Sequence, residues 1–162
     1  MDSNSPEQVQ NKIIGWREWV GLPGLNIRRI KAKIDSGARS SSLHAFDIEE
    51  YTADGQQFVK FKVYTRQRTG SFVVESSARV VEFREIKSSS GHVTERPVIL
   101  TEVEILDRKW PIELTLADRN QMGFRMLLGR EAIRGKFLID SDLSYCGGKR
   151  RKLTSKFKRR ES

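Results

Sequence analysis

Apolar residues recur at every second position in many short runs along this chain, and almost nowhere at the spacing of a helix. Phe58–Tyr64 (FVKFKVY) alternates cleanly, and so does Arg28–Ile34 (RRIKAKI). Further short strands are expected at residues 13–20, 46–50, 72–75, 78–86, 98–106, 110–116, 124–128 and 136–140. Turn residues separate them: Pro23-Gly24, Asp54-Gly55 as a hairpin signal, and Asp107–Lys109. Only Arg130–Arg134, ended by Gly135, reads as a helix, and it is short. With no long amphipathic helices between strands, parallel βαβ architecture is disfavoured. The expected fold is all-β, a closed or nearly closed barrel with one short helix after Gly129.

The chain has 162 residues, enough for one domain with a single core. No apolar run approaches the ~20 residues of a membrane span. The start, MDSNSPEQVQNK, has neither a basic opening nor an apolar stretch, so no signal peptide is expected. One cysteine, Cys146, cannot form an internal disulfide and suits a reducing cytoplasm. The net charge of +9 is uneven: residues 149–162 hold eight Lys/Arg against one Glu. The expected organisation is a flexible N-terminus at 1–12, a barrel at 13–146 and a basic tail at 147–162.

Where the basic strand 28–34 ends, the chain reads Ile34-Asp35-Ser36-Gly37-Ala38. Gly37 permits a sharp turn and Ala38 crowds nothing. A carboxylate held there is aimed by rigid structure, as an acid/base catalyst requires. The bland alternative is an Asp that caps its own turn.

The stretch resembles the D-[ST]-G-A signature of retropepsin-like aspartic proteases. A second resemblance lies at Met126-Leu127-Leu128-Gly129-Arg130-Glu131-Ala132-Ile133, where that superfamily packs an apolar-apolar-Gly segment and a short helix beside the catalytic loop. Together the segments resemble the bacterial family found next to RimK-type ATP-grasp glutamate ligases, often labelled "ATP-dependent zinc protease". The likeness covers roughly residues 13–145. It implies Asp35 as the catalytic acid/base, supported by Ser36 and Gly37. Ala38, His92, Arg96 and Arg119 are the implied substrate contacts, and Gly129 and Arg130 the structural support, with Arg130 paired to an acid. The polar connection 88–97 falls where the resemblance places a flap over the cleft, with Gly91 giving mobility. The ligase neighbour implies a glutamate-extended or acidic substrate, which guanidinium groups would bind bidentately. Arg96 and Arg119 are equally readable as ordinary ion-pairing residues. Ser40–Ser42 reads more simply as a solvated loop than as a set of turn-bonding hydroxyls.

Aspartic proteolysis needs two carboxylates sharing one proton. The chain has one D-[ST]-G-A, and Asp140-Ser141-Asp142 lacks the glycine, so a two-fold homodimer with one Asp35 from each copy is expected. Asp118 and Glu131 are weaker substitutes for a second acid. The zinc label finds no H-E-x-x-H, H-x-x-E-H or CxxC; His44, His92 and Cys146 are scattered, and no metal is expected. No G-x-x-x-x-G-K-[ST] loop is present, and no cofactor is expected. In the tail, Leu153 and Phe157 lie four apart, and residues 149–160 suit contact with RNA or the ribosome as well as they suit a solubilising extension. Two other functions stand beside the peptidase: a non-catalytic module binding an acidic partner or the ligase, and a zinc-dependent peptidase.

Overall fold

In the strand that leads to Asp35, alternate residues point inward: Ile30, Ala32 and Ile34 are buried while Arg28 is exposed. The same alternation builds most of the molecule. The computed structural model describes residues 12–65, 72–87, 89–118 and 123–147. In chain order the elements are β1 (Lys12–Ile14), β2 (Arg17–Leu22), a 3-10 turn (Pro23–Leu25), β3 (Ile27–Asp35), β4 (Ser41–His44), β5 (Phe46–Ala53) and β6 (Gln56–Tyr64). They continue as β7 (Val73–Lys87), β8 (Val93–Ile105), β9 (Arg108–Ala117), β10 (Met126–Gly129), α1 (Arg130–Ile133) and β11 (Phe137–Ile139).

The strands β2, β3, β10, β4, β9 and β8 hydrogen-bond in that order, and pairing of Gly21 with Glu104 joins β8 back to β2. The result is the expected closed barrel, six strands around, with no free edge in the ring. Leu22, Ile30, Leu43, Ile99, Leu114, Met126 and Leu128 fill its interior, all fully buried. From β8 the sheet runs on through β7 and β6 to β5, and Val59, Phe61 and Val63 of β6 join the same core. Asp54 and Gly55, both at positive φ (52° and 74°), make the tight β5–β6 turn that the Asp-Gly pair predicts. Among the described residues no helix is long and apolar enough to cross a membrane.

Several local expectations change. The two strands expected at 72–75 and 78–86 are one 15-residue strand, β7. Residues 93–97, expected in a polar connection, belong to β8 and pair with β7 as far as Lys87–Val93. Residues 93–95 are exposed there, and pairing with β7 rather than burial holds that part of the strand. The first strand is split, because Gly15 and Trp16 separate β1 from β2. The turn after β8 is Leu106-Asp107, with Leu106 at φ 59°, one position before the expected Asp107–Lys109. The expected flexible terminus 1–11 and the basic tail from residue 148, its RNA or ribosome contact included, lie outside the described residues.

The barrel's two ends of chain are tied by a buried acid. Glu18, on the inward side of β2, is fully buried. Its Oε2 accepts the Gly15 and Cys146 amides at 2.7 and 2.8 Å, and its Oε1 accepts the Gly147 amide at 3.0 Å. The Trp16 amide donates to Leu143 O (2.9 Å), the Tyr145 amide to Arg17 O (2.9 Å), and Trp19 stacks on Tyr145. Residues 143–147 are thereby strapped over β2. Gly15 is required for that approach, since a Cβ there would lie 2.1 Å from Leu143 O.

Candidate active site

Asp35 is the last residue of β3, half-buried, and the chain turns immediately after it. The Gly37 amide donates to Asp35 Oδ1 (3.0 Å) and the Ala38 amide to Asp35 O (3.1 Å). The first bond fixes the carboxylate's orientation and the second closes the turn. Ser36 and Gly37 are exposed, so the acid is open to an incoming molecule.

The turn is held from outside by β10 and α1. Strand β10 runs parallel to β3 with Gly129 opposite Asp35. The Arg130 amide donates to Ala38 O (2.8 Å) and the Glu131 amide to Arg39 O (3.2 Å). The Arg130 guanidinium donates to Gly37 O (3.2 Å) and Ser36 O (3.4 Å), so it engages turn carbonyls where an acid was the expected partner. Gly129 permits this approach: a Cβ on it would stand 2.5 Å from Ser40 O and 2.8 Å from Ala38 O. The Gly129 amide donates to Ser41 Oγ at 3.0 Å. Ser41 is buried in β4, which departs from the solvated loop expected for residues 40–42. A usable signal was its phase, since Ser41, Leu43 and Ala45 alternate inward. Ser36 contributes its carbonyl to this framework, and the hydroxyl that joins it is that of Ser41.

The β7–β8 arm touches the end of this turn through Arg84 and Ser40. Gly91 (φ 89°) lies at its tip beside the exposed His92. Arg84 and Arg96 are directly paired across the arm and share a face. That face turns toward the Asp35 turn, because the Arg84 guanidinium reaches Ser40 Oγ at 3.4 Å. Arg96 makes no ion pair among the described residues, which leaves its guanidinium available on that face. Arg119 lies outside the described residues. Of the weaker second acids, Asp118 is exposed and faces His44 (3.9 Å), and Glu131 pairs with Arg134 (3.4 Å). Asp140 closes its own turn by accepting the Asp142 amide at 2.9 Å.

His44 belongs to a separate cluster at the far end of β4. Arg125 Nη1 lies 3.4 Å from His44 Nδ1, and a guanidinium only donates, so Nδ1 is the acceptor and the proton sits on Nε2, toward Asp118. Tyr64 stacks on the ring, and Arg125 covers Tyr64. Burial first, and then the Arg125 charge, hold the His44 pKa below its usual value, with Asp118 opposing. The unfolded chain therefore binds this proton more tightly than the folded one. Stability is expected to be full above the ordinary histidine pKa of about 6.5 and to fall as pH drops below it. Urea midpoints measured between pH 7.5 and 5 should show this slope, and His44→Gln should flatten it. An equal slope in the variant would assign the effect to another group. Among the described residues no three His, Cys, Asp or Glu side chains gather as ligands for a metal.

Comparison with known proteins gives a consistent result. Residues 13–150 match the family model described as retropepsin-like aspartic endopeptidase RimB. The chain is 41% identical over 136 residues to a protein from Shewanella halifaxensis named probable alpha-L-glutamate ligase, and 44% identical over 133 residues to one of the same name from Parasynechococcus marenigrum. These alignments cover 84% and 82% of this chain but only 30% and 28% of the relatives, so the chain spans under a third of their length. A crystal structure of a Legionella pneumophila protein of unknown function superposes with a TM-score of 0.70 at 30% identity, covering 86% of this chain and all of that one. With its six-stranded barrel, its Asp-Ser-Gly-Ala turn and the Leu-Leu-Gly segment packed beneath that turn, the chain belongs to the RimB-like family of retropepsin-like aspartic endopeptidases.

Proposed function

We propose that the protein is a homodimeric aspartic peptidase that hydrolyses peptide or glutamyl bonds in glutamate-extended substrates, in the reducing cytoplasm. The observation that carries this reading is the accessible Asp35 on a turn braced by residues 129–131, in a chain that holds only one such motif. Two Asp35 carboxylates brought together would share one proton, because their mutual repulsion separates their pKa values. The ionised one takes a proton from water as its oxygen attacks the scissile carbonyl carbon. The protonated one gives its proton to the carbonyl oxygen. Collapse of the tetrahedral species breaks the C–N bond, with a proton delivered to the leaving amine.

A surface for the second copy supports the dimer. Strands β1 and β11 pair in parallel with Ile13 opposite Leu138, and these two residues are 48% and 57% exposed, with Leu143 also exposed. Such an apolar strip on a two-stranded ribbon gains by being covered. Two features support the acidic substrate. A sequence 41% identical to this chain makes up 30% of a protein named probable alpha-L-glutamate ligase, and Arg96, without an ion pair among the described residues, shares the arm face from which Arg84 reaches Ser40. A ligase of that kind is a natural partner for an enzyme acting on its product.

The test is hydrolysis of a peptide ending in several glutamates, followed by mass spectrometry across a dilution series of the protein, with and without chelator. Activity per molecule is expected to fall on dilution in step with the dimer measured by light scattering, and to be indifferent to chelator. A specific activity unchanged in fully monomeric protein would remove the shared dyad. Loss with chelator would make the enzyme a metallopeptidase.

A further inference from the structure

Arg84 lies three residues before the end of β7 at Lys87, on the arm, and its guanidinium is engaged on three sides. It donates through Nε to Glu82 Oε2 (3.0 Å), with a second close contact from Nη2 to the same carboxylate. Nη2 also reaches Glu113 Oε1 on β9 at 3.2 Å, and Nη1 reaches Ser40 Oγ at 3.4 Å. One side chain thus touches its own strand, a wall of the barrel and the end of the turn that begins at Asp35. We infer that Arg84 is a positioning residue that latches the β7–β8 arm to the Asp35 turn.

Charge explains why Arg84 and Arg96 do different work. The two guanidiniums face each other across the strands, an arrangement that repulsion disfavours. Glu82 and Glu113 both converge on Arg84 and offset its charge, while Arg96 has no ion pair among the described residues. Four of the five Arg84 N–H donors are engaged, which leaves little of it for a substrate carboxylate; Arg96 beside it has no ion pair among the described residues. A planar fork meets three acceptors in different directions, which a lysine ammonium cannot do from the same backbone position. The latch fixes where the arm lies relative to the Asp35 turn, and so where a bound chain lies relative to the carboxylate. Misplacement by an ångström at such a distance is costly to catalysis.

The positioning role rests on the peptidase reading, and the experiment separates the two. Hydrogen exchange is measured on the full chain for wild type, Arg84→Met, Arg84→Lys and Arg96→Met, alongside kinetics on the glutamate-tailed peptide. Arg84→Met is expected to speed exchange of the arm amides at residues 93–96 by about tenfold, with β2–β3 unchanged. Arg84→Lys should restore less than half of that protection, and Arg96→Met should leave it intact. In kinetics Arg84→Met should lower kcat by about tenfold while KM moves less than about twofold. Should Arg84→Met not fold, Ser40→Ala removes only the contact to the turn and is expected to give a smaller effect of the same pattern. Unchanged exchange at 93–96 overturns the latch, and so does full rescue by lysine. Faster exchange with unchanged kcat overturns the positioning role. If wild type cuts no glutamate peptide, the peptidase reading fails on its own, and exchange alone decides the latch.

Discussion

Asp35→Asn is expected to lower hydrolysis by at least about a thousandfold while leaving the barrel intact. An asparagine keeps the oxygen that accepts the Gly37 amide, so the turn should persist. It can neither take a proton from water nor hand one to a carbonyl. In a two-fold dimer the one substitution removes both members of the dyad. Mixed dimers should be inactive too, because a lone carboxylate has no partner with which to divide acid and base roles. Equal amounts of wild type and variant, allowed to exchange subunits, should therefore leave about one quarter of the dimers active. Measuring activity after mixing separates this from a mechanism within one subunit, where mixing would leave the wild-type half fully active. Retention of full hydrolysis by Asp35→Asn would sink the aspartic mechanism outright.

The largest expected loss of stability is at Glu18. Replacement by alanine leaves the buried Gly15 amide and the half-buried Cys146 and Gly147 amides without the carboxylate that accepts them. Losing the acceptor of a buried donor costs about 1–3 kcal/mol, so the three amides together are expected to cost about 3–5 kcal/mol. For a domain of this size that is a fall of roughly 10–20 °C in Tm. Glu18→Gln keeps one acceptor oxygen but sets an NH2 group against an amide, so it should lie between the two. A Glu18→Ala variant within 1 kcal/mol of wild type in urea would show that solvent reaches the three amides. Because the strap 143–147 follows β11, its release should also loosen the ribbon that carries Ile13 and Leu138. Dimer affinity should then drop along with Tm.

How far these features were legible depends on whether their causes are local. The strand leading to Asp35, the turn itself and the short helix after Gly129 all follow from spacing and residue type within a dozen positions. So does the closed all-β architecture. Glu18 was legible in part: it shares the inward phase of Val20 and Leu22, and an acid in an apolar phase signals a buried acceptor. Two of the three amides it accepts lie 128 and 129 positions away, which no local pattern reveals. Ser41 is of the same kind, inward in phase but read as loop because it sits in a serine run. The Arg84 contacts join two strands and a turn distant in sequence, and only the fold brings Ser40 and Glu113 to it. Polar character misled the reading of 93–97, because an arm held by ladder hydrogen bonds needs no apolar face.

Strand β10 lies between β3 and β4, which are separated by only five residues in sequence. The slot it occupies must stay open while more than eighty residues of chain are made and folded around it. Until residues 126–129 enter, β3 and β4 each lack a neighbour, and the turn at Asp35 lacks the amides of Arg130 and Glu131. Such distant closure raises the contact order and slows the final step of folding. A nascent chain emerging from the ribosome therefore carries Asp35 long before it carries the strand and helix that brace its turn.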